Sequence, residues 1–156
     1  MRLIHDRPRT VDLDEFLARP LFAHLATGSE NGPRDSPVWF LWEDGAAWIL
    51  GSRRDDSFPD RIARDPRCAL GVVDFRREEG VVQHVGMRGR GSVERFDPGR
   101  ARRLLARYLG EDESSWDARF RATIESPDDE SAVLVRFDPD RVVARDVSYE
   151  PGGPPR

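Results

Sequence analysis

The 156-residue sequence predicts a mainly β (α+β) domain, in which a closed antiparallel barrel of strands carries helices on its outer side. Three observations predict this fold class. Tight turns, of which Asn31-Gly32 is the clearest, separate successive strands. Glycines at 86, 89 and 91 interrupt one long strand, as glycines do where a sheet bends. Helical segments do not alternate with the strands, as a doubly wound parallel sheet would require.

The first half of the chain is predicted to form one helix and three strands. The segment TVDLDEFLARP (10–20) has apolar residues at helical spacing and a closing proline, which is typical of a short amphipathic helix. Three apolar segments follow, namely LFAHLATG (21–28), SPVWFLWEDG (36–45) and AAWILGS (46–52). Since tight turns join them, we expect an antiparallel meander.

The next part of the chain is predicted to form a short helix and two longer strands. The helix follows the loop at 52–57 and ends at Asp65-Pro66. The strand RCALGVVDF (67–75) is largely apolar, so we expect it to be buried on both faces. The strand VVQHVGMRGRGSVERF (81–96) carries the glycines, and we expect the sheet to curl there.

Two helices and the last strands complete the prediction. Residues 97–110 form the clearest helix, with Asp97 as its N-cap and Gly110 after its end. A second helix around SSWDARFRATI is expected to begin at Ser114 or Ser115. Residues 131–148 predict one or two strands, broken at Asp138-Pro139. We expect a single domain over residues 1–150 and a disordered tail at 151–156.

Composition excludes several functions. All 25 basic residues are arginines, so the chain has no lysine for a Schiff base or for a phosphate-binding loop. Anions must therefore be bound by arginine side chains, hydroxyls or backbone N–H groups. The net charge of −4 and the absence of a basic run argue against a nucleic-acid partner.

No segment is apolar enough to span a membrane and the N-terminus is too polar for a signal peptide, so we expect a cytoplasmic protein.

The cysteine and histidine content argues against a metal site. Cys68 is the only cysteine, which rules out an intrachain disulfide, and its apolar surroundings predict a buried structural thiol. The three histidines are far apart in sequence and lack metal-ligand spacing. His24 is interpreted as a hydrogen-bonded core residue and His5 as a solvated one.

Four short motifs in order carry a resemblance to a known family. They are the first strand ending in Ala-Thr, the Gly-Pro turn before PVWF, the RDPRCAL junction between helix and strand, and the GRGSVE strand. Over residues 12–148 the chain resembles the flavin-binding split-barrel family related to pyridoxamine 5′-phosphate oxidase. The resemblance implies a six-stranded antiparallel split β-barrel that forms a homodimer and binds flavin mononucleotide (FMN) at the subunit interface.

The resemblance also implies a set of cofactor-binding residues. The positions facing the flavin ring are Pro37, Val38, Trp39 and Phe40, and Leu50 and Gly51 close the following strand. The phosphate is expected near Ser52, Arg53, Arg54 and Ser57, and His84 is expected beside the flavin.

The loop at 52–57 departs from the family pattern. The oxidases have Arg-Lys at the start of the following helix, where this chain has Ser57-Phe58, and the loop is about two residues longer. We expect the Arg53-Arg54 pair to replace those residues. Asp55 and Asp56 oppose an anion there, so we expect one to cap the helix and the other to pair with Arg61 or solvent.

The sequence leaves the function open between three alternatives. The first is an FMN-dependent oxidoreductase of unknown substrate. The second is a reductase of the same fold that uses the deazaflavin F420. The third is a non-enzymatic module that binds flavin for storage or sensing, which is favoured by the lack of an evident acid, base or nucleophile.

Overall fold

The computed structural model describes residues 1–5, 10–125 and 130–152. That part of the chain contains eight strands and four α-helices. The strands are β1 (Arg2–His5), β2 (Ala23–Thr27), β3 (Arg34–Val38), β4 (Leu41–Glu43), β5 (Ala46–Ser52), β6 (Arg67–Arg76), β7 (Val81–Arg95) and β8 (Ala132–Asp146). The helices are α1 (Leu13–Ala18), α2 (Phe58–Arg64), α3 (Pro98–Leu109) and α4 (Ala118–Glu125).

The strands form one sheet whose two ends meet. Its order is β3-β2-β6-β7-β8-β5-β4, with antiparallel neighbours along this path and β1 added in parallel to β8. β3 and β4 lie at opposite ends of the order, yet only Trp39 and Phe40 separate them in sequence. The three Cα–Cα steps from Val38 to Leu41 span about 11 Å at most, so the sheet must curl until its two edge strands are close. No ladder joins β3 to β4 within the described ranges, which leaves the barrel split there.

The predicted fold class is confirmed, but the predicted strand count of six is wrong. β1 was not predicted, because four residues at the chain start carry no strand pattern of their own. The segment 36–45 was predicted as one strand, and the structure divides it between β3 and β4. The meander is therefore wrong as well: β2–β3 and β4–β5 are hairpins at the two edges of the sheet, held apart by the bend at Trp39-Phe40.

The long strands differ from their predictions in two further ways. β6 is buried on one face only, because Val73 and Phe75 on its outer face are 53% and 61% exposed. β8 is a single strand, and the expected break at Asp138-Pro139 is a shift in the β7–β8 register opposite Arg88 and Gly89. The chain thus keeps its pairing while bending the sheet.

The helices cover the barrel at two places. Phe16 and Leu17 of α1 and Ile62 of α2 belong to the cluster that fills the barrel interior. α3 and α4 form a second apolar cluster on the outer side, with Leu104 and Ile124 among its buried members.

Helix ends follow the capping rules at most positions. Asp12 and Asp97 accept backbone N–H groups at the starts of α1 and α3, and Gly110 follows α3 with φ of 92°. The prediction that Ser114 or Ser115 begins the second helix is wrong. Those serines lie in a short 3₁₀ turn, and the Asp117 carboxylate accepts the backbone N–H of Arg119, the second residue of α4. Of the predicted tail, Pro151 and Gly152 form a turn and residues 153–156 lie outside the described ranges.

Candidate functional site

Two neighbouring cavities lie between the barrel wall and the outer helices. The first, of about 320 Å³, is bounded by β3, β5, α2, α3 and α4. The second, of about 480 Å³, extends from the end of β5 towards α4 and the start of β8. They share Leu50, Asp56 and Phe120 as lining residues, so they form one groove partly divided by these side chains. Each volume is in the range of small-molecule sites.

Several of the predicted cofactor residues line this groove. Pro37, Val38, Trp39 and Leu50 line the first cavity, and Leu50, Gly51 and Ser52 line the second. The structure therefore brings together the predicted ring-facing strand and the end of the following strand. They meet because the barrel curls, not because they pair: β3 pairs with β2, whereas β5 pairs with β4 and β8.

The Trp39 side chain forms a rigid wall of the first cavity. Its ring stacks on Tyr108 at a centroid distance of 4.6 Å with an interplanar angle of 3°, and it lies 5.7 Å from the Phe120 ring. The Tyr108 hydroxyl donates to the Leu21 carbonyl at 2.8 Å, which fixes its position. Burial raises the pKa of Tyr108, so this hydroxyl is a neutral hydrogen-bond donor at physiological pH.

Phe40 and His84 lie away from the groove. Phe40 is fully buried in the barrel core, and the Arg107 guanidinium lies 4.6 Å from its ring centre. His84 is exposed on β7, where it is paired with Arg145 of β8. Ser52, at the end of β5, is paired with Ala132 of β8, which lies thirteen residues before Arg145 on the same strand. About 40 Å of β8 therefore separates the partner of Ser52 from the partner of His84. Burial and the charge of Arg145 lower the pKa of His84.

The loop at 52–57 is held by its own hydrogen bonds. The Asp56 carboxylate accepts the Ser52 backbone N–H at 2.8 Å, and the Asp55 carboxylate accepts the Ser52 hydroxyl at 3.0 Å. Neither aspartate caps α2, so that part of the expectation is wrong, and neither pairs with Arg61. Asp55 is exposed to solvent, the other alternative given for it. Arg53 forms an ion pair with Asp60 at 3.2 Å, and both Arg53 and Arg54 are exposed. Asp56 thus presents a carboxylate rather than a cation at the groove.

Arg61, which was not among the predicted site residues, holds β2, β3 and α2 together. Its Nε donates to the Thr27 hydroxyl at 2.7 Å, and its terminal nitrogens donate to Ser57 at 2.5 Å and Ser36 at 3.2 Å. Ser36 and Ser57 each immediately precede a residue that lines the first cavity, Pro37 and Phe58. Arg61 therefore lies next to the groove.

One local signal pointed to Arg61. Ser57 and Arg61 are four residues apart at the start of a helix, which places them on one helical face. Thr27 and Ser36 gave no such signal, because they reach Arg61 only through the fold.

Cys68 and His24 lie outside the groove. Cys68 is buried, and this burial raises the pKa of its thiol to about 11. The interpretation of His24 as a core residue is wrong: its side chain is 61% exposed and hydrogen-bonded to Asp35 at 2.9 Å.

Across residues 1–5, 10–125 and 130–152, His, Cys, Asp and Glu form no cluster of three suited to a metal ion. In the same ranges, no helix has the length and apolar character needed to cross a bilayer.

An antiparallel split barrel with a groove between its wall and its outer helices defines the class of this protein. The sequence profile of the pyridoxamine 5′-phosphate oxidase family matches residues 10–146, and the chain belongs to this family. A search of curated proteins finds no match.

Solved structures share this fold at low sequence identity. The conserved hypothetical protein Rv2991 from Mycobacterium tuberculosis is 18% identical with a TM-score of 0.68, over 94% of each chain. An F420 reductase is 22% identical with a TM-score of 0.63, over 86% of this chain and 98% of its own. A FAD-binding protein from Mesorhizobium loti is 16% identical with a TM-score of 0.61, over 90% and 98%.

Proposed function

We propose that this protein binds a flavin-type cofactor, FMN, in the groove beside Trp39 and serves as an oxidoreductase of unknown substrate. The observation that carries the proposal is the cavity of about 320 Å³, whose lining includes three of the four ring-facing residues expected from the family, Pro37, Val38 and Trp39. Its walls are mainly apolar and aromatic, as in sites for planar ligands. The family profile supports the same cofactor class.

The chain's own residues would bind and orient the cofactor. Trp39, held by its stacks on Tyr108 and Phe120, would contribute an already ordered aromatic side chain to the cofactor site. Leu50, Leu104 and Leu105 of the lining exclude water from the ring edge. When bound, FMN itself would supply the electron-transfer chemistry.

A second copy of the chain would complete the site. Val73 and Phe75 are large apolar residues exposed on the outer face of β6, and such residues are typical of a contact with another protein surface. His84 is paired with Val73 across the β6–β7 ladder. In a homodimer formed through this face, His84 would approach the partner's cofactor, which its position within one chain does not allow.

Two alternative functions keep specific support. The deazaflavin F420 is supported by the similarity of the fold to that of an F420 reductase. A non-enzymatic flavin-binding module is favoured by the groove lining. Asp55, Asp56 and Arg119 are the ionisable residues among its described members, and Asp56 already accepts a backbone N–H of the loop.

The proposal is tested by titrating the purified protein with FMN and with F420. We expect a yellow, dimeric protein with a dissociation constant for FMN below that for F420. Tighter binding of F420 favours the reductase alternative, and a bound flavin that nicotinamide cofactors never reduce favours the module. A colourless protein with no thermal shift from either cofactor contradicts all three.

The loop arginines are tested by replacing both Arg53 and Arg54 with alanine. We expect FMN binding to weaken at least about tenfold, because each arginine–phosphate hydrogen bond contributes roughly 1.5–3 kcal/mol. Arg77→Ala, at an exposed site in a 3₁₀ turn, is the matched control. Unchanged FMN affinity in the double variant would remove the loop from the phosphate site.

A further inference from the structure

A third cavity, of about 720 Å³, lies between the turn that joins β2 to β3 and the end of α2. Its lining residues are Gly28, Ser29, Glu30, Asn31, Gly32, Pro33, Arg61, Arg64, Asp65 and Arg67. This cavity is lined by none of the residues that line the groove beside Trp39. Three of its ten lining residues are arginines, in a chain whose net charge is −4.

Arg61 lines this cavity and has two N–H groups that no described residue accepts. A guanidinium carries five N–H groups, one on Nε and two on each terminal nitrogen. Thr27, Ser36 and Ser57 accept one each, which leaves one N–H on each terminal nitrogen. Such a pair is the fork with which arginine binds an oxyanion in bidentate geometry.

The charge of Arg61 is not neutralised by the protein. Its three acceptors are neutral hydroxyls, and no carboxylate of the described residues lies within 4.0 Å of its nitrogens. Burial and the charge of Arg34 lower the pKa of Arg61, whereas a paired carboxylate would raise it. A partly buried cation next to another cation is costly unless a further group compensates it.

The one carboxylate close to α2 in this cavity is already neutralised. Asp65 accepts two side-chain hydrogen bonds from Arg67, at 2.9 and 2.7 Å, and also its backbone N–H at 3.1 Å. These bonds lower the pKa of Asp65 to about 2, so it stays ionised and engaged with Arg67. Arg61 and Arg64 remain as the excess positive charge, opposed only by Glu30 on the facing turn.

We propose that this cavity is an oxyanion site in which Arg61, assisted by Arg64, binds the phosphate group of a small molecule. A cavity of this volume holds a phosphate monoester rather than an extended polymer. The phosphate has two possible sources. One is the cofactor, which would enter past Ser57 and Phe58 from the groove, and this case rests on the proposed function. The other is a separate phosphate monoester.

Binding of three probes to the full chain tests the proposal. Inorganic phosphate, FMN and riboflavin are titrated at constant ionic strength into the wild type and into Arg61→Gln and Arg64→Gln. We expect Arg61→Gln to weaken phosphate binding about 10- to 100-fold, as expected for the loss of a charged bidentate contact. Arg64→Gln leaves the hydrogen bonds of Arg61 intact and is expected to weaken phosphate binding less. Arg77→Gln is the control outside the cavity.

The outcomes separate the two sources of phosphate. If Arg61→Gln weakens FMN and leaves riboflavin unchanged, Arg61 binds the cofactor phosphate. If it weakens inorganic phosphate alone, the cavity binds a separate phosphate monoester. A wild type that binds phosphate but neither flavin would refute the proposed function and support this site. The proposal would be overturned if the wild type failed to bind phosphate, or if both cavity variants bound phosphate as tightly as the wild type does.

Discussion

The replacement Gly89→Ala probes the bend in the barrel that positions the groove. Gly89 lies where the β7–β8 register shifts. A Cβ atom at this position would be 2.0 Å from the Asp138 carbonyl oxygen and 2.8 Å from the Pro139 Cα. Gly71, in the neighbouring strand β6, is the matched control, because a Cβ there meets no atom within 4 Å.

The expected cost follows from the contacts. Real Cβ atoms essentially never approach another heavy atom closer than 3.0 Å, so β7 and β8 must separate by about 1 Å at this point. Both opposing atoms belong to the backbone, so no side-chain rotation relieves the contact. Overpacking costs about 1–3 kcal/mol, and a backbone clash lies at the upper end of that range. For a domain of this size, about 3 kcal/mol lowers Tm by roughly 6–12 °C.

Thermal unfolding followed by circular dichroism measures this effect. We expect Gly89→Ala to unfold several degrees below the wild type and Gly71→Ala to unfold within about 2 °C of it. Equal Tm values for the two variants would refute the reasoning, because the two replacements add the same methyl group and differ only in what it meets.

Three further predictions concern single side chains. Tyr108→Phe removes the hydroxyl bonded to Leu21 and should cost about 1–3 kcal/mol in urea unfolding, while an unchanged midpoint would contradict that role. Hydrogen bonds from Arg103 and Arg100 lower the pKa of Glu43 below 4.5. This stabilisation is present above pH 4.5 and lost as pH falls through the lower folded pKa, so Glu43→Gln should flatten the acid limb of the stability curve. The Cys68 thiol, with its pKa raised to about 11, should react with thiol reagents at pH 8 only after unfolding; fast native labelling would show that it is accessible.

The predicted cofactor residues show what a short sequence motif can and cannot predict about the lining of the groove. Pro37, Val38, Trp39 and Leu50 were selected by resemblance to a family, and the structure places them around one cavity. Phe40 was selected with them, yet it points into the core, since side chains alternate across a strand and the chain bends at this residue. The resemblance selected a segment that lies beside the groove, but it did not determine which side chains of that segment line the cavity.

In the 52–57 loop, the sequence did not predict the partners of the side chains. The arginines and serines of the loop indicated an anion site, but their partners depend on spatial neighbours that the sequence does not reveal. Arg53 is paired with Asp60, and Ser57 accepts from Arg61. The arginine with unused donors lies in the following helix. It was missed because an arginine on a short helix is ordinarily solvent-exposed, and because two of its three partners, Thr27 and Ser36, are distant in sequence.

The sequence by itself determined the features that depend on near neighbours. The helix cap at Asp97, the Asn31-Gly32 turn and the glycine-rich bend each depend on a few neighbouring residues, so their residue types suffice to predict them. The arginine-only composition is read directly from the sequence. The family resemblance rests on the same short motifs.

Only the tertiary structure decided which distant residues meet. Closure of the barrel divides one apolar segment between β3 and β4, and it brings Thr27 and Ser36 to Arg61 from 34 and 25 residues away. Such contacts are fixed by the pairing of all the strands together. Because no single segment encodes that pairing, the position of the uncompensated arginine and the two sites beside it emerge only in the folded chain.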